Sequence, residues 1–198
     1  MNHETGTDVR EFAGPLTDED PWARAARPPL RGEPLGGVAS EAAWEALAAQ
    51  LMARSPGGRL LIAVDGVDAA ARVHFATVLA RALRAVGRPA VRLTAAPFTD
   101  DETVRTVVRL FRSDAFGGEF EDAPDDAALI VDGWSLLRGG IRDAWDFTVF
   151  LETRRLLDDD IRHLHRRYVS RDAPCAAADV AYDVTDIDRP QRIDVTAC

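Results

Sequence analysis

The residues best placed for chemistry lie in one short stretch. The apolar run Leu60-Leu61-Ile62-Ala63-Val64 ends in Asp65-Gly66, and Val67-Asp68-Ala69-Ala70-Ala71 leads into Arg72-Val73 and a helical pattern. Strand, turn and helix in that order can hold a phosphate group: backbone N–H groups and the helix dipole converge on an anion at the helix N-terminus. The candidate binding residues are therefore Gly66, Val67, Asp68, Ala69, Ala70, Ala71, Arg72 and Val73. A working loop of this type reads G-x-x-x-x-G-K-[ST], with lysine on the β and γ phosphates and a hydroxyl on Mg²⁺. Gly66 holds the first position, but Ala71 replaces the second glycine, Arg72 the lysine and Val73 the hydroxyl residue. Arginine keeps the charge on a fork of different reach and shape. Valine cannot ligate a metal, so Mg²⁺ binding is doubtful, whereas a nucleotide or phosphate remains a candidate ligand.

The elements that must position these residues follow from periodicity. Ser40 can cap a helix over residues 41–54 with Trp44, Leu47 and Leu51 on one stripe. Residues 59–65 form a continuous apolar strand, as in a parallel sheet. A helix over residues 70–86 stops at Gly87. A second strand spans 89–94. Thr99-Asp100-Asp101-Glu102 reads as a capping box opening a helix to Arg112. A loop centred on Gly117-Gly118 leads to strand 127–132, which ends in Asp132-Gly133. After a loop with one helical turn come strand 147–151, a charged helix over 153–169 and strand 179–184. The alternation predicts an α/β fold of three layers, a parallel sheet of about five strands with helices on both faces. Asp65-Gly66, the turn after Thr94, and Asp132-Gly133 should converge beyond the carboxyl ends of the strands.

Composition bounds the rest. The 198 residues suit one domain, residues 38–198, preceded by a segment of five prolines, five glycines and the acidic cluster Asp18-Glu19-Asp20, expected to be flexible or loosely draped. A net charge of −9 argues against nucleic acid as a partner. No run is long and apolar enough for a membrane span, so the expected location is the cytoplasm, where a disulfide between Cys175 and Cys198 is not expected. His163 and His165 point to different faces of a helix and suit no zinc site. Every basic side chain is arginine, for the chain holds no lysine. The heavy use of Ala, Arg, Gly, Asp and Val resembles the coding bias of high-GC bacteria.

Several blocks, in order, resemble the nucleoside kinases of the uridine kinase type, within the wider phosphoribulokinase-like group. They are residues 61–68 leading into a helix, Leu129-Ile130-Val131-Asp132-Gly133 with Leu136-Leu137-Arg138, residues 141–151, Arg166-Arg167-Tyr168-Val169 and residues 178–186. The resemblance implies the P-loop kinase fold over roughly residues 38–190. It implies a magnesium-binding acid at Asp132, for which a strand-end acid satisfying turn N–H groups is the equal alternative. Family members carry an Asp after the second strand to take a hydroxyl proton. Ala95, Ala96, Pro97 and Phe98 stand there, with Asp100 and Asp101 the next acids and Asp100 better read as a first-turn residue that stabilises the helix dipole. The substrate segment and the arginine-bearing lid look shortened. Arg154, Arg155, Arg162, Arg166 and Arg167 keep some lid-like charge, or simply pair with Asp158, Asp159 and Asp160.

Two hypotheses follow. One is a degenerate kinase-like protein without ATP-dependent activity, a binding or regulatory module with a protein partner or a second copy of itself. The other is a divergent phosphotransferase for a nucleoside or other small molecule, or a repurposed enzyme, using Arg72 in place of lysine. The N-terminal segment is a further candidate for binding a partner protein.

Overall fold

The computed structural model describes residues 38–55, 57–96, 99–113, 123–155 and 158–195. Elements follow in the order α1 (Val38–Arg54), β1 (Leu60–Gly66), α2 (Ala69–Ala85), β2 (Ala90–Thr94), α3 (Asp101–Arg112), β3 (Ala128–Gly133), a 3₁₀ turn (Arg142–Ala144), β4 (Phe147–Glu152), α4 (Asp159–Asp172), the one-turn α5 (Pro174–Ala177), β5 (Val180–Asp183) and β6 (Gln191–Ile193). The sheet order is β2-β3-β1-β4-β5-β6, parallel except for β6, which runs antiparallel to β5.

Strand alternation divides the core. Leu61 and Ala63 of β1 and Leu129 and Val131 of β3 face Val104, Val107 and Phe111 of α3 together with Ile161 and Tyr168 of α4. Leu60, Ile62 and Val64 face Leu47 and Leu51 of α1 and Phe75, Leu79 and Leu83 of α2. Both faces are covered, which is why β1 and β3 read as apolar runs up to their terminal Asp-Gly and β4 as an apolar run broken only by Thr148 before Glu152. Arginine forks staple the connections: Arg59 donates to the carbonyls of Phe111 (2.8 Å) and Ser113 (3.1 Å), and buried Arg88 to those of Ser55 (2.5 Å) and Gly58 (2.6 Å).

The sheet has six strands where about five were expected. β6 is three residues long and polar, with no alternation to reveal it. Ser40 lies inside α1, not at its cap. Asp100 caps α3, accepting from the backbone of Thr103 at 2.8 Å, so the N-cap is Asp100 and not Thr99, where the expected capping box placed it. Helix α4 starts at Asp159, because Asp158 caps it by accepting from the N–H groups of Asp160 and Ile161. Cys175 is joined in a disulfide, contrary to the expected thiol. The only other cysteine, Cys198, lies outside the described residues, as do the segment 1–37, Pro97 and Phe98, and Gly117-Gly118.

Gly66 is required by the sheet itself. A Cβ there would lie 2.8 Å from the carbonyl oxygen of Leu151 and 2.9 Å from its Cβ. Since the first of these is backbone, Gly66→Ala must push β4 from β1. Its urea midpoint should fall by the equivalent of about 1–3 kcal/mol, the usual cost of overpacking. An unchanged midpoint would show that β4 yields freely.

Candidate functional site

The turn between β1 and α2 consists of only Val67 and Asp68. Ala69, Ala70 and Ala71, which would form the crest of a phosphate loop, are already the first turn of the helix, closed by Arg72 N–H donating to Asp68 O at 3.0 Å. Three successive alanines, the strongest helix formers, explain the early start. Asp68 supplies the cap: its Oδ1 accepts from Ala71 N–H at 3.1 Å. That N–H is among the orphan donors at a helix start, the groups that receive an external anion in a phosphate loop. The other carboxylate oxygen of Asp68 pairs with Arg155, from the segment after β4, at 3.1 Å.

Arg72 is 7% exposed and turns back onto its own strand, donating from one guanidinium nitrogen to Gly66 O at 2.5 Å. Its Nε is buried and unpartnered. Burial pulls its pKa down, opposed by attraction from Asp132, Asp65 and Asp68. The eight candidate residues are thus brought together, with the one cation among them set against three carboxylates.

Asp65 is fully buried and accepts from Ser135 N–H at 2.9 Å, from Leu137 N–H at 3.0 Å and from the Tyr168 hydroxyl in a short bond. Burial raises its pKa, against the lowering effect of those bonds, of which the Tyr168 bond is strongest, and of Arg72. Burial and the neighbouring Asp65 charge in turn push the Tyr168 phenol far up. The carboxylate therefore fixes the loop after β3 and the middle of α4 to the end of β1.

Asp132 is also fully buried. Its Oδ1 accepts from Thr94 Oγ1 at 3.1 Å and faces Arg92 Nε at 3.4 Å, while Oδ2 is buried without a partner. Desolvation raises its pKa, opposed by Arg92, then Arg72 and the Thr94 bond. Mg²⁺ seeks an octahedron of oxygens. This donor set has one carboxylate and one hydroxyl beside two guanidinium charges that repel a dication. Among the described residues no group of three or more His, Cys, Asp or Glu could hold a metal ion.

Sequence reasoning did not find Arg92, Arg155 and Tyr168 as members of this constellation. Arg92 was detectable, since it lies two residues before Thr94 in β2, on the same face of the strand, and the register pairs Thr94 with Asp132. Arg155 meets Asp68 across 87 residues of sequence and Tyr168 meets Asp65 across 103, and neither contact leaves a local signal. Asp100 is an exposed cap residue whose pKa is lowered chiefly by its bond from Thr103 N–H.

A carboxyl whose pKa is raised on folding binds its proton more tightly in the native state. Its stabilising contribution is whole below the ordinary value of 3.8 and is lost as pH rises through the native pKa. Asp132→Asn removes that dependence at one of the two buried carboxyls. In urea titrations from about pH 4 to pH 7, stability of the variant relative to the parent should rise with pH. A relative loss growing with pH would show that attraction to Arg92 and Arg72 outweighs desolvation.

No protein-family model matches the chain, and no curated protein matches it. Among solved structures it is similar to a possible uridine kinase from Bacillus stearothermophilus, with a TM-score of 0.59 and 17% identity over 74% of this chain and 100% of that one. A weaker likeness, TM-score 0.47 and 19% identity over 70% of this chain and 98% of the other, links it to a "putative fructose transport system kinase" from Silicibacter sp. TM1040. No helix among the described residues is long and apolar enough to cross a membrane. The mostly parallel six-stranded sheet, its helices on both faces and the first superposition together give the chain a uridine kinase-like fold.

Proposed function

We propose that this protein is a kinase-fold binding or regulatory module of the cytoplasm that does not catalyse ATP-dependent phosphoryl transfer. The observation that carries this reading is the internal engagement of Asp68. Its carboxylate accepts from Ala71 N–H and pairs with Arg155, so a resident anion takes the helix terminus where phosphate would sit. Arg72, in the lysine position, donates inward to Gly66 O. Val73 offers no hydroxyl to a metal, and Asp132 has guanidinium neighbours. Phosphoryl transfer depends on positioning and charge stabilisation, and the helix terminus, the lysine position and the hydroxyl position that would supply them are each altered or occupied. Any nucleotide or phosphate at residues 66–73 binds weakly, and the working partner is another protein or a second copy of the chain.

A second reading, a divergent phosphotransferase using Arg72 in place of lysine, is favoured by the likeness to a possible uridine kinase. It also draws on the unpartnered Asp132 Oδ2 at the end of β3. The two separate on titration of the purified protein with ATP and GTP, with and without Mg²⁺, followed by tryptophan fluorescence and melting temperature. No metal-dependent shift is expected. Tight, Mg²⁺-dependent binding would overturn the first reading and support the second.

Restoring the loop chemistry is the complementary test. The combined variant Ala71→Gly, Arg72→Lys, Val73→Thr should acquire Mg²⁺-nucleotide affinity detectable by calorimetry if the β1–α2 turn can still open into a phosphate cradle. A folded variant with none would show that the turn no longer makes one.

A further inference from the structure

Cys175 sits in α5, the single turn between α4 and β5, and is only 8% exposed, in the core face it shares with Ile161 and Ala181. It is disulfide-bonded. The 198 residues hold one other cysteine, Cys198, beyond β6, so a bond within the chain encloses the whole of β5 and β6 in one loop. None of residues 66–73 belongs to that loop, and the feature does not depend on how their site is read.

The first argument is how little else holds β6. The strand is three residues long, and Gln191 and Arg192 are exposed. It joins the sheet only through β5, in the antiparallel register Ala181↔Ile193, Tyr182↔Arg192 and Asp183↔Gln191. Its apolar anchors, Ile193 and Val195, are only partly buried against the core. A strand pairing this short is marginal by itself in water. A cross-link that closes the loop removes conformations from the open state and so favours the docked one.

The second argument is backbone strain two residues before the sulfur. Ala173 has φ 42° and ψ 55°, in the left-handed region that its Cβ disfavours. It joins α4 to α5, and α5 has no side-chain cap bond. On the α4 side its place is fixed, because Asp172 accepts from Gly139 N–H at 3.1 Å and, at its carbonyl, from Arg142. On the α5 side the covalent constraint is the disulfide at Cys175. Strain of this kind persists where the surroundings over-determine it, and it concentrates in switch regions.

The third argument is the chemical setting. Disulfides that form in a reducing cytoplasm are commonly transient and redox-sensing. This step alone rests on the cytoplasmic location proposed above.

We propose that Cys175 and Cys198 form a redox-operated clasp, which holds β6 on the sheet when oxidised and releases it when reduced. Small thiols of the glutathione class work it. A thiolate attacks one sulfur of the clasp, and the other sulfur leaves as a thiolate and takes up a proton. A second thiol then displaces the first, so that two thiols are oxidised to their disulfide while the clasp gains two electrons and two protons. Release uncovers the outer edge of β5. It also frees the β5–β6 turn, where Ile187 packs against the α2 layer and Asp188 faces His74 at 3.9 Å.

Hydrogen exchange read by mass spectrometry, on the full chain in buffers of reduced and oxidised glutathione, tests the clasp. A non-reducing digest of the oxidised monomer should yield one linked peptide pair, Cys175 with Cys198. As the reduced fraction rises, exchange over residues 191–195 should quicken at least about tenfold, in step with free-thiol content, while β1 and β3 stay protected. Reoxidation should restore the slow rate. Cys198→Ser should show the fast rate even under oxidising conditions, with circular dichroism to check its fold. Should that variant fail to fold, the glutathione titration of the parent chain decides alone. Unchanged exchange over 191–195 on reduction, a disulfide that glutathione does not open, lost protection in β1 and β3, or a bond between two copies would each overturn the proposal. The nucleotide titration reads the site at residues 66–73 separately, so either reading can fail without the other.

Discussion

The structure hangs on the burial of charge at the carboxyl ends of β1 and β3. Asp65 and Asp132 are each shut away from water, with the charge of buried Arg72 attracting both and Arg92 facing Asp132 at 3.4 Å. Isolated, any of these charges would cost several kcal/mol in such surroundings. Together they form a compensated cluster, and its hydrogen bonds determine which segments must lie near one another. Through Asp65 the loop after β3 and the helix α4 are tied to β1. Through Asp132, β2 joins the same cluster at Thr94 and Arg92. The polar centre thus orders the elements over the sheet end, while the two apolar faces set only the layers.

This cluster also explains the character of the β1–α2 turn. A phosphate loop is an open ring of N–H groups that needs a guest to be satisfied. Here the helix advances to Ala69, and Asp68 and Arg72 close the ring from within. Gly66 survives beside Leu151 for a packing reason that would hold with no ligand at all. A glycine in the right place is therefore weaker evidence of phosphate binding than the pattern suggests.

Much of the architecture was legible from local pattern. β1, β3 and β4 announce themselves as apolar runs because both their faces are covered, and α2 and α3 by their periodicity and stops. The short polar strand β6 left no such mark, nor did the late start of α4, which rests on a single cap at Asp158. At the candidate site, the substitutions at Ala71, Arg72 and Val73 could be read directly. The roles of Asp68 and Asp65 could not, because each depends on a partner from a distant segment, Arg155 in one case and Tyr168 in the other. A carboxylate's meaning is set by what faces it, and for these two that is decided by the fold.

The arginine staples at Arg59 and Arg88 have a chemical consequence of their own. Each holds two or more carbonyl oxygens from one planar head, a geometry that an ammonium group does not reproduce. Because the chain uses guanidinium everywhere, no side chain in it carries an ε-amine. Acetyl groups, ubiquitin and aldehydes that react with lysine find no internal foothold. Control of this protein through its basic side chains must act on arginine or through the anions that arginine binds.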